Sequence, residues 1–217
     1  MSDSFHFEIS PLFQGLEERE IQSVLQCLSA KARDYQKGET IFHPGRSVKE
    51  VGMVQAGRVH LVKEDRWGNA ALLSTISMGE LFGESYACVG KPLPLRAVAA
   101  EECRVLFLTI GKVLTTCSSA CRFHARLIQN LLSILAGKNL FLAQKADILA
   151  QRTVREKLLN YLFYQSQTHG SAVFTIPLNR QQLADYLSVD RSSMTVEMGK
   201  LCKEGILKVE RNRFELL

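Results

Sequence analysis

The stretch NRQQLADYLSVDRSSMTVEMGKLCKEGILKVERNRF, residues 179–214, decides how this chain is read. Asn179 is a good N-cap, because its side-chain oxygen can accept from the open amides of a first helical turn. Leu183, Ala184 and Leu187 then give one apolar face to a short helix over Arg180–Leu187. Ser188-Val189 breaks the pattern, and Asp190 caps a second helix that begins at Arg191. In that second helix Met194, Met198 and Leu201 recur at spacings of four and three, a stripe for burial. Its other side carries Arg191, Ser192, Ser193, Thr195, Val196 and Lys200. Two short helices joined by a tight break form the layout of a helix-turn-helix, which places its second helix in the major groove. Arginine can donate bidentately to guanine, and Ser or Thr can meet bases or phosphates. Beyond Gly205, two short alternating runs flank Arg211-Asn212-Arg213, so a hairpin wing with basic residues at its tip is expected. Arg180, Arg211 and Arg213 join the six helix residues as expected DNA contacts.

Charge follows the same division. The 217 residues carry a formal charge of +5, with a balance of −1 over residues 1–118 and +6 over residues 119–217. The surplus lies where phosphate contacts are expected. No apolar run approaches membrane-spanning length, and the start MSDSFHFEIS lacks a basic stretch followed by an apolar one, so a cytoplasmic protein is expected. Six scattered cysteines (27, 88, 103, 117, 121 and 202) without a CxxC are then reduced thiols. Cys117 and Cys121, four apart, can share a helix face. No Ser/His/Asp, paired-carboxylate or metal-spaced set stands in motif form, and the chain is not expected to be an enzyme or to hold a metal.

Upstream, glycines punctuate short apolar runs. Thr40–Phe42, Val51–Val54, Val59–Val62, Ala71–Ser74 and Val105–Leu108 read as strands of an antiparallel sandwich, roll or barrel. Trp67-Gly68-Asn69 reads as a hairpin turn, and residues 16–28 as a helix with Ile21, Leu25 and Leu28 on one side. Gly79-Glu80-Leu81-Phe82-Gly83-Glu84-Ser85 reads as an acidic, aromatic turn between glycines, with Glu84 placed to accept from a ligand hydroxyl. Arg96 either meets an anion near it or is solvated at a strand edge. Between the halves, residues 119–145 hold no proline and one glycine. His124, Ile128, Leu131, Leu135, Lys138 and Leu142 follow heptad spacing and are read as a dimer seam, with Phe123, Leu127, Ile134 and Phe141 turned to the β domain.

In this order the pieces resemble the CRP/FNR family of bacterial transcription regulators. The resemblance is carried by QAGRVHLV around Gly57, GELFGES at 79–85, ECRVLFL at 102–108, TVREKLLNYL at 153–162 and LADYLSVDRSSM at 183–194. It implies an α+β fold: an N-terminal antiparallel β-roll sensor of the cyclic-nucleotide-binding type over 1–118, a long dimerisation helix over 119–148, and a winged helix-turn-helix over 149–217. It implies a homodimer that binds a two-fold symmetric promoter site on double-stranded DNA, with RNA polymerase as a partner where it activates. The effector pocket would comprise Gly83, Glu84, Ser85, Arg96, Ile128 and Leu131. Cyclic-AMP-binding members hold the ribose through a glutamate, matched by Glu84, and the phosphate through an Arg-Ser pair. Here that pair falls on Leu93-Pro94, which argues against cyclic AMP. Only Cys27 precedes residue 88, which argues against the iron–sulfur cluster of the oxygen sensors; Cys88 and His124 leave haem open. Relatives often read bases through Arg, Glu and a second Arg, where this chain has Arg191, Ser192 and Val196, so a different target sequence is implied. A ligand-sensing module that acts through a protein partner without DNA is the competing reading.

Overall fold

The computed structural model describes residues 7–64, 67, 70–114 and 122–217. Gly68 and Asn69 of the expected hairpin turn, and residues 115–121 with Cys117 and Cys121, lie outside the described residues. The chain divides into two compact units, Met1–Ala136 and Gly137–Leu217.

The first unit is built on two four-stranded antiparallel sheets. Strands β1 (Lys31–Tyr35), β8 (Cys103–Thr109), β3 (Glu50–Ala56) and β6 (Leu81–Phe82) form one, in that order. The other runs β2 (Thr40–Phe42), β7 (Arg96–Ala99), β4 (Val59–Glu64) and β5 (Ala70–Ile76). Val51, Met53, Val54, Val59, Val105 and Phe107 point into a shared core, which helix α1 (Glu18–Cys27) closes through Ile21 and Val24. α1 begins at a capping box in which Glu17 and Glu20 satisfy each other's backbone amides. All five expected strands lie within observed ones.

GELFGES is a strand joined to a helix rather than one turn. Leu81-Phe82 pair with β3, and Glu84 starts α2 (Glu84–Val89). Gly83 makes the switch at φ +78°, a left-handed conformation that L side chains rarely adopt. Gly52 has a different purpose: a Cβ there would lie 2.3 Å from the Phe82 ring. Gly52→Ala is therefore expected to cost about 1–3 kcal/mol of stability, seen as a lower urea midpoint with an unchanged slope.

Two helices follow β8: α3 (Ile110–Leu114) and the long α4 (Arg122–Ala150). On α4, Leu127 and Leu131 enter the core of the first unit, while Ile148 belongs to that of the second. The second unit continues with α5 (Val154–His169), β9 (Val173–Thr175), α6 (Arg180–Leu187), α7 (Arg191–Lys203), β10 (Leu207–Glu210) and β11 (Arg213–Leu216). Its sheet order is β10-β11-β9, all antiparallel. Phe174 and Phe214 stack across β9 and β11, and Leu158, Leu162, Leu183, Leu187 and Leu201 complete the core.

Candidate nucleic-acid interface and sensor turn

The boundaries of α6 and α7 follow from local chemistry. Asn179 Oδ1 accepts from the Gln182 amide at 2.9 Å while Gln182 Oε1 accepts from the Asn179 amide at 2.8 Å. Ser188 closes α6 in the left-handed conformation, φ 52°. Asp190 Oδ1 accepts from the Ser193 amide at 2.9 Å and opens α7. Met194, Met198 and Leu201 are buried, together with Leu183, Ala184 and Leu187 of α6. Rotation about the helix axis then leaves Arg191, Ser192, Ser193, Thr195, Val196 and Lys200 exposed.

Two of these side chains have already committed their hydrogens. Ser192 donates to Asp190 Oδ1 and Thr195 donates to the Arg191 carbonyl at 2.8 Å. Each therefore offers lone pairs rather than a proton to a base edge. The Ser192 bond, with the Ser193 amide, also holds the Asp190 carboxyl below its ordinary range. Val196 is 60% exposed, so its methyl groups stand on the same side as Arg191 and Ser192.

Behind the exposed side, Arg155 on α5 bridges Glu197 and Glu204, and Lys200 pairs with Glu197 at 3.0 Å. The role of Arg155 is not legible from its neighbours in the chain, because its partners lie 42 and 49 residues away. The Lys200 hydrogen bond, then Arg155, depresses Glu197, and the Arg155 hydrogen bond depresses Glu204. A depressed folded pKa contributes stability above the unfolded value of about 4.3. That contribution is lost as pH falls through the folded value. Arg155→Ala is expected to flatten the fall in urea stability between about pH 5 and pH 3, because it removes the partner that favours the ionised carboxylates.

The wing is the β10–β11 hairpin, with Arg211 at φ 53° in its turn and Arg211 and Arg213 exposed. Arg180 departs from expectation. Its guanidinium donates to the Arg211 carbonyl at 2.9 Å and lies 5.3 Å over the Phe214 ring. Burial lowers its pKa. It braces the wing from within the unit instead of projecting toward a ligand.

In the first unit Glu84 is 4% exposed at the start of α2, and Ser85 beside it is exposed. Gly83 packs on Phe42, since a Cβ there would meet that ring at 2.9 Å. Arg96 pairs with Glu64 at 3.1 Å, so it is neither simply solvated nor an uncommitted anion partner. Its Nε is buried without a hydrogen-bond partner among the described residues. Leu93, where cyclic-AMP-binding relatives carry arginine, is 2% exposed and apolar. Cys88 stands near Glu84, and burial, then that carboxylate, raises its thiol pKa. Of the other expected pocket residues, Leu131 is in the apolar core and Ile128 is half-buried.

The expected seam on α4 is also redistributed. His124 is buried, its Nε2 3.9 Å from Cys27 Sγ, and Leu131 is buried, so both face the protein's own interior. Leu127 is buried with them, and Asn130 donates to the carbonyls of Leu12 and Gln14 at 2.8 and 2.9 Å. Ile128 and Leu135 remain half-buried, and Lys138 and Leu142 are exposed. Leu132, absent from the expected seam, is 60% exposed.

Comparison with known proteins agrees with this geometry. Residues 32–120 match the cyclic nucleotide-binding domain family, and residues 156–217 match the Crp-like helix-turn-helix domain family. The cyclic AMP receptor protein of Thermus thermophilus is 25% identical over 200 residues, which are 92% of this chain and 89% of that protein. The probable transcriptional regulator flp of Lacticaseibacillus casei is 23% identical over 215 residues, 96% of this chain and 92% of its own. The solved structure of a cysteine-to-serine variant of CprK in complex with OCPA shares the fold at a TM-score of 0.65 and 17% identity, covering 91% of this chain and 88% of that one. A β-roll sensor, a long helix and a winged helix-turn-helix on one chain define an effector-responsive, sequence-specific DNA-binding transcription regulator. The chain belongs to the CRP/FNR family. Among the described residues no helix is long and apolar enough to cross a membrane.

Proposed function

We propose that the protein acts as a homodimer whose two α7 helices read a two-fold symmetric duplex, with affinity set by a small molecule bound near Gly83–Ser85. The observation that carries this reading is the division of α7 into a buried methionine and leucine stripe and an exposed side beginning at Arg191. Arg191 would read a guanine, and Val196 a thymine methyl group. Ser192 and Thr195, with their hydrogens already donated, would accept from the amino group of adenine or cytosine. Lys200 and the wing arginines would touch phosphate. Two such modules would read half-sites about 34 Å apart.

On α4, Ile128, Leu132, Leu135 and Leu142 keep the spacing of a helix-helix seam and stay at least partly exposed. They are our assignment of the dimer contact, one residue out of step with the heptad at Leu131. An anionic effector would have to draw Arg96 from Glu64, whereas Glu84 suits a ligand that donates a hydroxyl or N–H. We take the working parts as a sensor over 1–118, a dimer helix over 119–148 and a DNA-binding part over 149–217. DNA as the partner sets the place of action in the cytoplasm, with RNA polymerase a further partner at activated promoters.

Salt-dependent duplex binding tests the reading. Log affinity should fall linearly with log salt, by about 0.9 per phosphate neutralised. Arg211→Ala or Arg213→Ala is expected to lower that slope by about 1 without changing which sequences are preferred, as measured by fluorescence anisotropy. Salt-independent or absent duplex binding would favour action through a protein partner instead.

A further inference from the structure

A recess in the β-roll unit lies apart from the residues assigned to the effector. It is a cleft of about 540 Å³ whose floor includes Phe42 and Val48 and whose rim carries Arg33, His43, Arg46 and Lys49. A cleft of that size suits a small molecule rather than a polypeptide. Glu50 is its single carboxylate, 3.9 Å from Arg33. Among the described residues neither Arg46 nor Lys49 has an ion-pair partner within 4 Å. Positive charge is thus concentrated in a stretch of chain, residues 1–118, whose overall balance is −1.

The frame beneath these side chains is fixed. The Leu93 amide donates to the Arg46 carbonyl at 3.0 Å, the Gly45 amide donates to the Leu93 carbonyl at 2.8 Å, and the Ile110 amide donates to the Lys49 carbonyl at 3.0 Å. Arg33 is held 4.8 Å over the Phe107 ring. The floor reaches the sensor turn, since Phe42 lines the cleft, packs 5.4 Å from Phe82 and limits the space at Gly83.

We propose that this cleft binds a phosphomonoester that carries an apolar ring, with the phosphate between Arg46 and Lys49 and the ring over Phe42 and Val48. Planar guanidinium groups match phosphate oxygens, and the apolar floor rewards a ring that inorganic phosphate lacks. Through Phe42, occupancy would bear on the segment that presents Glu84.

The test is calorimetric titration of the full chain with phenyl phosphate and with inorganic phosphate at constant ionic strength. Phenyl phosphate should bind about tenfold more tightly. The double variant Arg46→Ala, Lys49→Ala should weaken it at least about tenfold while leaving the thermal melt unchanged, because both side chains are exposed. Arg191→Ala should leave phenyl phosphate binding intact. Equal affinity for the two anions, indifference to the double variant, or loss of binding in Arg191→Ala would each overturn the assignment, the last by moving the anion to the DNA-binding side.

Discussion

Arg191→Ala should reduce affinity for the cognate duplex by roughly 1–3 kcal/mol per half-site. Across a symmetric site that amounts to a fall of between about 30-fold and 10⁴-fold. The size of the effect follows from where the residue sits. Arg191 is the first residue of α7 and exposed, next to a cap whose Oδ1 already accepts from Ser192 and Ser193. Among the described residues no ion pair within 4 Å holds its guanidinium, which can reach a guanine edge through two parallel hydrogen bonds. The loss should be selective: one base pair per half-site becomes indifferent, while binding to unrelated duplex changes little. Arg191→Lys should fall between, keeping the charge but losing the fork. A competition assay over single base-pair substitutions measures this directly. An unchanged preference at every position would remove Arg191 from base reading.

What the sequence disclosed was set largely by how local the controlling chemistry is. Asn179 and Asp190 each cap a helix by accepting from the amide three residues further on, so α6 and α7 can be placed from side-chain type alone. β5 is legible from its apolar run although only Ile76 of it is buried, whereas strands β2, β3, β4 and β8 alternate visibly or run apolar because at least one face meets the core. β1 does not: Lys31-Ala32-Arg33-Asp34-Tyr35 is largely exposed, and only its backbone pairing with β8 makes it a strand. No hydropathy pattern could announce it. Arg180 as a DNA contact, and Arg96 as either an anion partner or a solvated edge residue, are readings that a cation beside a motif invites. Their partners, the Arg211 carbonyl and Glu64, come from segments tens of residues away. The basic cleft was hidden for the same reason, as Arg33 and the Arg46–Lys49 loop converge only in the fold. On α4 a heptad count and a 3.6-residue helix drift apart. Which stripe is covered then depended on residues 12–28, whose packing the helix's own sequence does not encode.

That correction yields a large and discriminating effect. Leu132→Glu should raise the dimer dissociation constant by roughly 10²–10⁴, because burying a leucine contributes about 1.5–3 kcal/mol and the substitution occurs once per protomer. Two carboxylates brought to one seam would add to the loss. The monomer should stay folded, since Leu132 is 60% exposed and has no place in its core. Leu131→Glu, one residue earlier, should instead unfold the N-terminal unit, because that position is 3% exposed and a lone carboxylate there would be stranded among apolar side chains. Light scattering after size exclusion, set beside circular dichroism melts, separates these outcomes. DNA binding gives a third readout. Leu132→Glu leaves each α7 intact, so half-site contacts survive, but affinity for the full site should drop toward that of a single module. A folded, dimeric Leu132→Glu protein would place the partner on another face of α4, and a folded, monomeric Leu131→Glu protein would restore the heptad seam through His124 and Leu131.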